Sequence, residues 1–354
     1  MQPHSRPPER KIEIKIGSQQ EIDGKKLVIR PAFANYVTRN AGFLNYVHDV
    51  REQIATYIAK RSAKRPLNIL LAAPPGSGKS FLIKQIINSI TQQNHDIQVS
   101  FEEAYIASLE NMDELFKIFQ RVQSLNLEGK LPVVFFDEID AEITGSSHVY
   151  AKFLAPMWDG TFYLGKEKFF LGKCIFFFAG SGLSLEDESD NALTTLSKKT
   201  NPVKYDDYYE QWKTKFDERH SQAWAKQQKL PDFLDRIDSF LRIPPICSEL
   251  LGDDTEGEYI DLACMLIKKH FPAVKYIEND ALNIICRALR NETSMRTAEK
   301  IVFSSTSRSE EEYELFDTPC LPKRCQAPTK QAPTKEEQWW EIVIEAGEAV
   351  ARSP

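Results

Sequence analysis

Three short runs constrain this chain more than any other feature: LNILLAA (67–73), LPVVFFDEID (131–140) and CIFFFAGSG (174–182). Each is continuous in apolar residues over a stretch too short for a core helix, and each leads into glycines or acids. A strand paired on both edges and covered on both faces has this composition, whereas a strand with one wet face alternates. IQVSF (97–101) and FLRIPPI (240–246) read as two further strands. Between the strands the spacing turns helical. Leu82, Ile83, Ile86, Ile87 and Ile90 form one stripe, and 35–63, 112–125 and 149–157 carry amphipathic patterns. Strands alternating with helices predict an α/β fold built on a parallel sheet.

The rest of the 354 residues divides by composition. Residues 1–33 read as a tail with a small hairpin made by KIEIKIG (11–17) and KKLVI (25–29). The α/β domain spans 34–250. It is interrupted by a charged insertion, 183–228, in which Tyr209, Trp212, Phe216 and Ala223 share one face of a helix over 206–228. Residues 251–306 hold three helical patterns and no strand, which predicts a helical lid domain. A Pro-rich linker, 307–335, contains the tandem QAPTKQAPTK. An apolar segment, 336–354, ends the chain and carries Trp339 and Trp340. The net charge of -6 gives no electrostatic reason to expect bulk binding to nucleic acid or acidic membranes. No apolar run approaches the roughly 18 residues that span a bilayer. The opening MQPHSRPPERK lacks the apolar core of a signal peptide. The scattered cysteines read as reduced thiols, and Cys320 and Cys325 lack the second ligand pair a zinc site needs. A cytoplasmic location is expected.

The chemistry centres on APPGSGKS (73–80). The phosphate-binding pattern is G-x-x-x-x-G-K-[ST], and Ala73 stands where its first glycine belongs. Gly76 and Gly78 allow the backbone to curl so that its N–H groups face a β-phosphate. Lys79 neutralises charge, the Ser80 hydroxyl ligates Mg²⁺, and Pro75, Ser77 and Phe81 complete the contact stretch. Ala73 lies at the strand exit and needs no positive φ if that exit stays extended. Downstream, the buried run 131–136 presents Asp137 and Glu138. Asp137 is expected to hold Mg²⁺ through water or Ser80, and Glu138 to orient and activate an attacking water.

The pairing of APPGSGKS with FFDEID, some sixty residues apart in an α/β frame, resembles the AAA+ ATPase superfamily. The resemblance runs from about Asn35 to Ser305 and is closest to small single-motor proteins of bacterial type. It implies a P-loop NTPase core with a C-terminal helical lid, ATP and Mg²⁺ as cofactors, and hydrolysis at subunit interfaces of a ring, usually of six. It implies roles for further residues. Ser181 takes the first-sensor position at the end of the fourth strand, where the family often has Asn. Arg236, with Arg242 as runner-up, takes the position of the arginine finger; the alternative for Arg236 is an ion pair with Asp235 or Asp238. Arg296 takes the second-sensor position in the last lid helix.

The load is less determined. Family translocases place an aromatic–apolar–Gly loop after the second strand, and here Tyr105-Ile106 is followed by Ala107, so both side chains read as core. DGTFYLGKEKFFLG (159–172) permits a hairpin. IAKRSAKR (58–65) is a basic helix end without interleaved aromatics, so a DNA-associated loader is weakly supported. Trp339/Trp340 and the insertion 183–228 are candidate contacts for a protein partner. Two readings stand: a hydrolysing ring that remodels a protein or nucleoprotein, and a nucleotide-gated switch or scaffold with slow or no hydrolysis.

Overall fold

The computed structural model describes residues 11–16, 26–29, 31–60, 62–73, 76–92, 97–141, 149–180, 229–243, 255–291, 295–310, 313–318, 341–345 and 348–352. In chain order the elements are β1 (Lys11–Ile16), β2 (Lys26–Ile29), α1 (Ala41–Ala59), β3 (Leu67–Ala72), α2 (Lys79–Thr91), β4 (Val99–Tyr105), α3 (Met112–Leu127) and β5 (Leu131–Asp137). They continue as α4 (Val149–Asp159), β6 (Thr161–Leu164), β7 (Glu167–Phe170), β8 (Ile175–Ala179), α5 (Leu230–Leu234), β9 (Ser239–Arg242), α6 (Thr255–His270) and β10 (Val274–Glu278). The last are α7 (Asn279–Asn291), α8 (Met295–Phe303), β11 (Thr306–Glu310), β12 (Tyr313–Thr318), β13 (Glu341–Glu345) and β14 (Glu348–Arg352). The chain divides into two units, residues 42–244 and residues 1–41 with 245–354.

In the first unit the apolar runs form one sheet of order β4-β5-β8-β3-β9, parallel at every pair. β3 and β8 are buried throughout, and β5 is buried up to Phe136. Continuous apolar sequence is therefore the consequence of burial on both faces. One face carries Leu70, Val134, Phe136, Phe176 and Phe178, packed with residues of α3, α4 and β6. Its hub is Phe119 of α3, whose ring meets those of Phe136, Phe153, Phe162 and Phe176 at 5.7–6.4 Å between centroids. The alternate residues Ile69, Leu71, Val133, Phe135 and Phe177, also buried, project to the other face.

A polar knot ties the start of β3 to the start of β9. Asp238 accepts hydrogen bonds from Arg65 at 2.7 and 3.0 Å. It also accepts from the Asn68 backbone N–H at 2.9 Å and from Asn68 Nδ2 at 3.2 Å. The fully buried Asn68 donates further to the carbonyls of Met157 and Arg236. Arg65 lies 5.5 Å from the Trp158 ring, so the basic segment 58–65 meets an aromatic contributed by another segment. Residues 159–172 form the β6–β7 hairpin that their sequence permitted.

In the second unit α6, α7 and α8 share a core that includes Ile260, Ile267, Leu282, Ile285, Ile301 and Val302. The segment before α1 is anchored on α6: Thr38 Oγ1 donates to Glu258 at 2.6 Å, and Arg39 Nε to Asp261 at 2.7 Å. Burial pushes the Glu258 carboxyl above its ordinary value. Four expectations are corrected here. β1 and β2 pair in parallel rather than as a hairpin, because β1 takes its antiparallel partner, β10, from far along the chain. β10 itself stands inside the stretch 251–306 expected to be wholly helical. β11 and β12 form an antiparallel pair where the linker 307–335 was expected to begin, completing a sheet of order β11-β12-β10-β1-β2. β13 and β14 pair as a hairpin within the expected single segment 336–354. The helix expected at 206–228 and the tandem 326–335 lie outside the described residues. Cys174, Cys264 and Cys286 are buried free thiols; Cys247, Cys320 and Cys325 lie outside the described residues. No described helix is long and apolar enough to cross a membrane.

Removing the Asp238 carboxylate leaves Asn68 buried with an unmet donor and Arg65 without its partner. Asp238→Ala is expected to lower unfolding stability by about 1–3 kcal/mol in a denaturant titration. Asp235→Ala, at an exposed position three residues earlier, should stay within about 0.5 kcal/mol of the parent. Equal losses would show that the Asp238 bonds contribute no more to stability than a solvated surface charge.

Candidate functional site

β3 leaves the sheet at Ala72, and the chain re-enters regular structure at Lys79, the first residue of α2. Ala73 is buried, and positive φ among described non-glycine residues falls only on Ala34, Glu138 and Lys229. The methyl group in place of the pattern's first glycine therefore meets no conformational penalty. The curl is supplied by Gly76 (φ 74°) and Gly78 (φ 81°), both left-handed. Such angles cost a residue with a Cβ about 1–2 kcal/mol. Gly78 caps α2 without a side chain to satisfy the first-turn N–H groups. Ser77 Oγ is buried with no hydrogen-bond partner among the described residues. An uncapped helix start, two left-handed glycines and an orphaned hydroxyl in one five-residue loop fit an anionic phosphate group. Lys79 and Ser80 are half-buried, and Phe81 is exposed. Pro75 lies outside the described residues.

β5 brings Asp137 and Glu138 to the same edge of the sheet, with β8 standing between β5 and β3. Glu138 is exposed and left-handed at φ 56°, a strained conformation for a glutamate. Its amide donates to Asp137 Oδ1 at 3.0 Å, and the amide of Ile139 donates to the Ala179 carbonyl at 2.9 Å. These bonds fix the turn and keep the Glu138 carboxylate outside the core. Strain held by its surroundings at a candidate catalytic acid is consistent with a positioned group. Gly180, at the end of β8, packs against Asp140: a Cβ there would lie 2.2 Å from Asp140 Oδ1. Ser181, the expected first sensor, lies outside the described residues.

One acid at this edge was not anticipated. Glu103 of β4 accepts a hydrogen bond from Ser80 Oγ at 2.7 Å and an ion pair from Lys84 at 2.5 Å, both at Oε1. Tyr105 OH donates to Oε2 at 2.9 Å. Burial pushes this carboxyl up, but the bonds from Lys84, Ser80 and Tyr105 prevail and hold it below the usual range. Its signal in the sequence was an acid pair, Glu102-Glu103, inside a strand otherwise made to pack. Tyr105 is 48% exposed while Ile106 is fully buried, so the expectation that both are core holds for Ile106 and is corrected for Tyr105. β4 is an edge strand, and the Tyr105 phenol is drawn to Glu103 rather than inward.

Arg236 lies apart from this cluster, whereas Arg242 is in register with Ala72, where β3 gives way to the loop. Arg236 precedes β9, whose Ser239 is in register with Ile69, whereas the loop follows Ala72. Strand rise alone separates them by more than about 10 Å within one chain. Asp238 pairs with Arg65 and not with Arg236, which instead donates to the Asp232 carbonyl. Arg242 is half-buried at the end of β9. Arg296 is exposed in the first turn of α8, in the second unit.

Residues 69–182 match the family described as ATPase family associated with various cellular activities (AAA). The matched stretch contains the loop 76–80 and the Asp137–Glu138 turn. The chain is similar to a Corynebacterium diphtheriae protein described as an AAA ATPase forming ring-shaped complexes, with 34% identity over 87 residues, 22% of this chain and 17% of the relative. It is similar to a proteasome-associated ATPase of Streptosporangium roseum, with 25% identity over 117 residues, 28% of this chain and 20% of the relative. The matched stretch thus spans a fifth or less of either relative. A chain of the S. cerevisiae Hsp104–ADP complex aligns at TM-score 0.48 and 14% identity, covering 75% of this chain and 44% of that one.

The contact at Gly180 generates a test of how tightly this edge is built. Gly180→Ala is expected to lower unfolding stability by about 1–3 kcal/mol, because Asp140 must move away from the new methyl group. An unchanged denaturation midpoint would show that Asp140 is free to turn aside.

Proposed function

We propose that this AAA+ protein binds and hydrolyses ATP with Mg²⁺ at subunit interfaces of a ring, and uses the cycle to remodel a protein or nucleoprotein partner. The observation that carries the reading is the loop 76–80, whose uncapped α2 start and unpartnered Ser77 hydroxyl lie at one sheet edge with Asp137 and Glu138. Gly76, Gly78 and Lys79 would hold the phosphates, with Pro75, Ser77 and Phe81 lining the contact. Ser80 and Asp137 would hold the metal ion, which supplies charge neutralisation at the phosphates. Glu138, outside the core and fixed by its turn, would accept a proton from the attacking water.

Arg236 lies at the opposite end of the strands from the loop of its own chain, so a role at the phosphates is open to it only from a neighbouring subunit. That is the arginine-finger role, and the ring-forming relatives favour it; six subunits is the family's usual number. Ser181 and Arg296 are proposed as the two sensors. Trp339, Trp340 and the insertion 183–228 are proposed as contacts to the protein partner. Nucleic acid is the weaker choice of load. Arg65, one of the cations of 58–65, is committed to Asp238 and Trp158, although Lys60 and Lys64 remain exposed.

Glu138→Gln keeps the shape of the side chain and removes the base. Steady-state phosphate release should fall by about 10²–10⁴-fold while ATP binding survives. In sedimentation, ATP should enlarge the particle in both forms. Stoichiometric binding with no phosphate release by the parent chain would favour the nucleotide-gated switch instead.

A further inference from the structure

We propose that Glu103 is a positioning residue of the magnesium site, acting through the hydroxyl of Ser80. The inference rests on the nucleotide reading above and assigns a third carboxylate to it. A serine hydroxyl can offer a lone pair to a metal ion only if its proton points elsewhere, and that proton needs an acceptor. Glu103 Oε1 is that acceptor, 2.7 Å from Ser80 Oγ. Asp137 Oδ1 is meanwhile engaged by the amide of Glu138.

The acceptor is itself held at both oxygens. Lys84 reaches Oε1 at 2.5 Å, and Tyr105 OH reaches Oε2 at 2.9 Å. Ser80 and Lys84 are four residues apart on α2, so they lie one turn apart on the same helix face and converge on one carboxylate. The sheet supplies the other half of the arrangement. Tyr105 is in register with Asp137 and Glu103 with Phe135. Parallel partners project to the same side and alternate residues share a face, so Glu103, Tyr105 and Asp137 all face α2. The orientation of Ser80 is thus set before nucleotide arrives, by a residue outside both sequence motifs. Lys84 balances the added negative charge, which an unpaired third acid beside Asp137 would leave uncompensated.

The test is a titration of the full chain with a fluorescent, non-hydrolysable ATP analogue over a range of Mg²⁺ concentrations. The variants are Glu103→Gln, Glu103→Ala, Ser80→Ala and the Ser80→Ala/Glu103→Ala double variant, each with a thermal melt to confirm folding. Glu103→Ala should raise the Mg²⁺ concentration for half-maximal tightening by about 10-fold or more, leaving affinity in excess chelator within about twofold. In the Ser80→Ala background the same change should shift the Mg²⁺ dependence by less than about twofold, since the hydroxyl it acts through is gone. Glu103→Gln, which retains an acceptor oxygen and shape, should fall between parent and alanine variant. If Glu103→Ala is too unstable to titrate, Glu103→Gln carries the comparison. An unchanged Mg²⁺ dependence, or an equal shift with and without the Ser80 hydroxyl, would overturn the proposal. A parent chain that binds the analogue without any response to Mg²⁺ would overturn the metal reading beneath it, and that outcome is seen before any variant is made.

Discussion

The burial of β3 is the constraint from which the rest follows. β3 is paired on both edges, by β8 and β9, and covered on both faces. A strand so placed cannot tilt or slide without opening the core, and the loop that leaves its end inherits that rigidity. Phosphate binding by backbone N–H groups demands this, because the donors are fixed in direction by the chain and cannot adapt as side chains do. The polar knot at Asp238 holds the other end of the same strand. One strand is thus clamped by hydrogen bonds where it enters and left with unsatisfied polar groups where it exits. Their position at that exit is what makes an anion welcome there.

The sheet order adds the acids. β8 stands between β3 and β5, so the loop 76–80 and the Asp137–Glu138 turn flank the strand that ends at Gly180. β4, at the edge beyond β5, meets α2 through Glu103, which accepts from Ser80 and Lys84, and through Phe101, whose ring lies 5.1 Å from Lys84 Nζ. The helix that follows the loop 76–78 is therefore tied to β4 by a charged contact at Ser80 and Lys84. A shift in α2 on ligand binding would be felt at Ser80, Lys84 and Tyr105 together, and Tyr105 lies on the exposed segment that leads to α3. In this way Ser80, the proposed metal ligand, and an accessible aromatic share one carboxylate.

Much of this was legible in the sequence, and the limits have physical causes. Apolar runs without alternation announced the parallel sheet, because full burial leaves no wet face to mark. GSGKS and DEID announced the loop and the acid turn, because each carries several independent requirements in a few residues. Ala73 looked like a defect and is none, since an extended strand exit needs no positive φ. Glu103 was missed because its partners Ser80 and Lys84 are on another element and only the folded sheet brings them together. β10 was missed because VKYIE is short and sits between helices, with partners β1 and β12 far away in sequence. The knot at Asp238 was equally silent. Asp238 stood two residues from Arg236 and was, with Asp235, only an alternative partner for it, whereas the fold delivers Arg65.

The loop at the end of β3 is proposed to hold the phosphates of a nucleotide. Calorimetric titration of the full chain with ATP and Mg²⁺, beside Lys79→Ala, tests it most directly. Saturable binding near one nucleotide per chain is expected for the parent, weakened at least about 10-fold in the variant, the loss expected when a charged hydrogen bond to phosphate is removed. Equal affinity in the two, or no heat of binding in the parent, would contradict it.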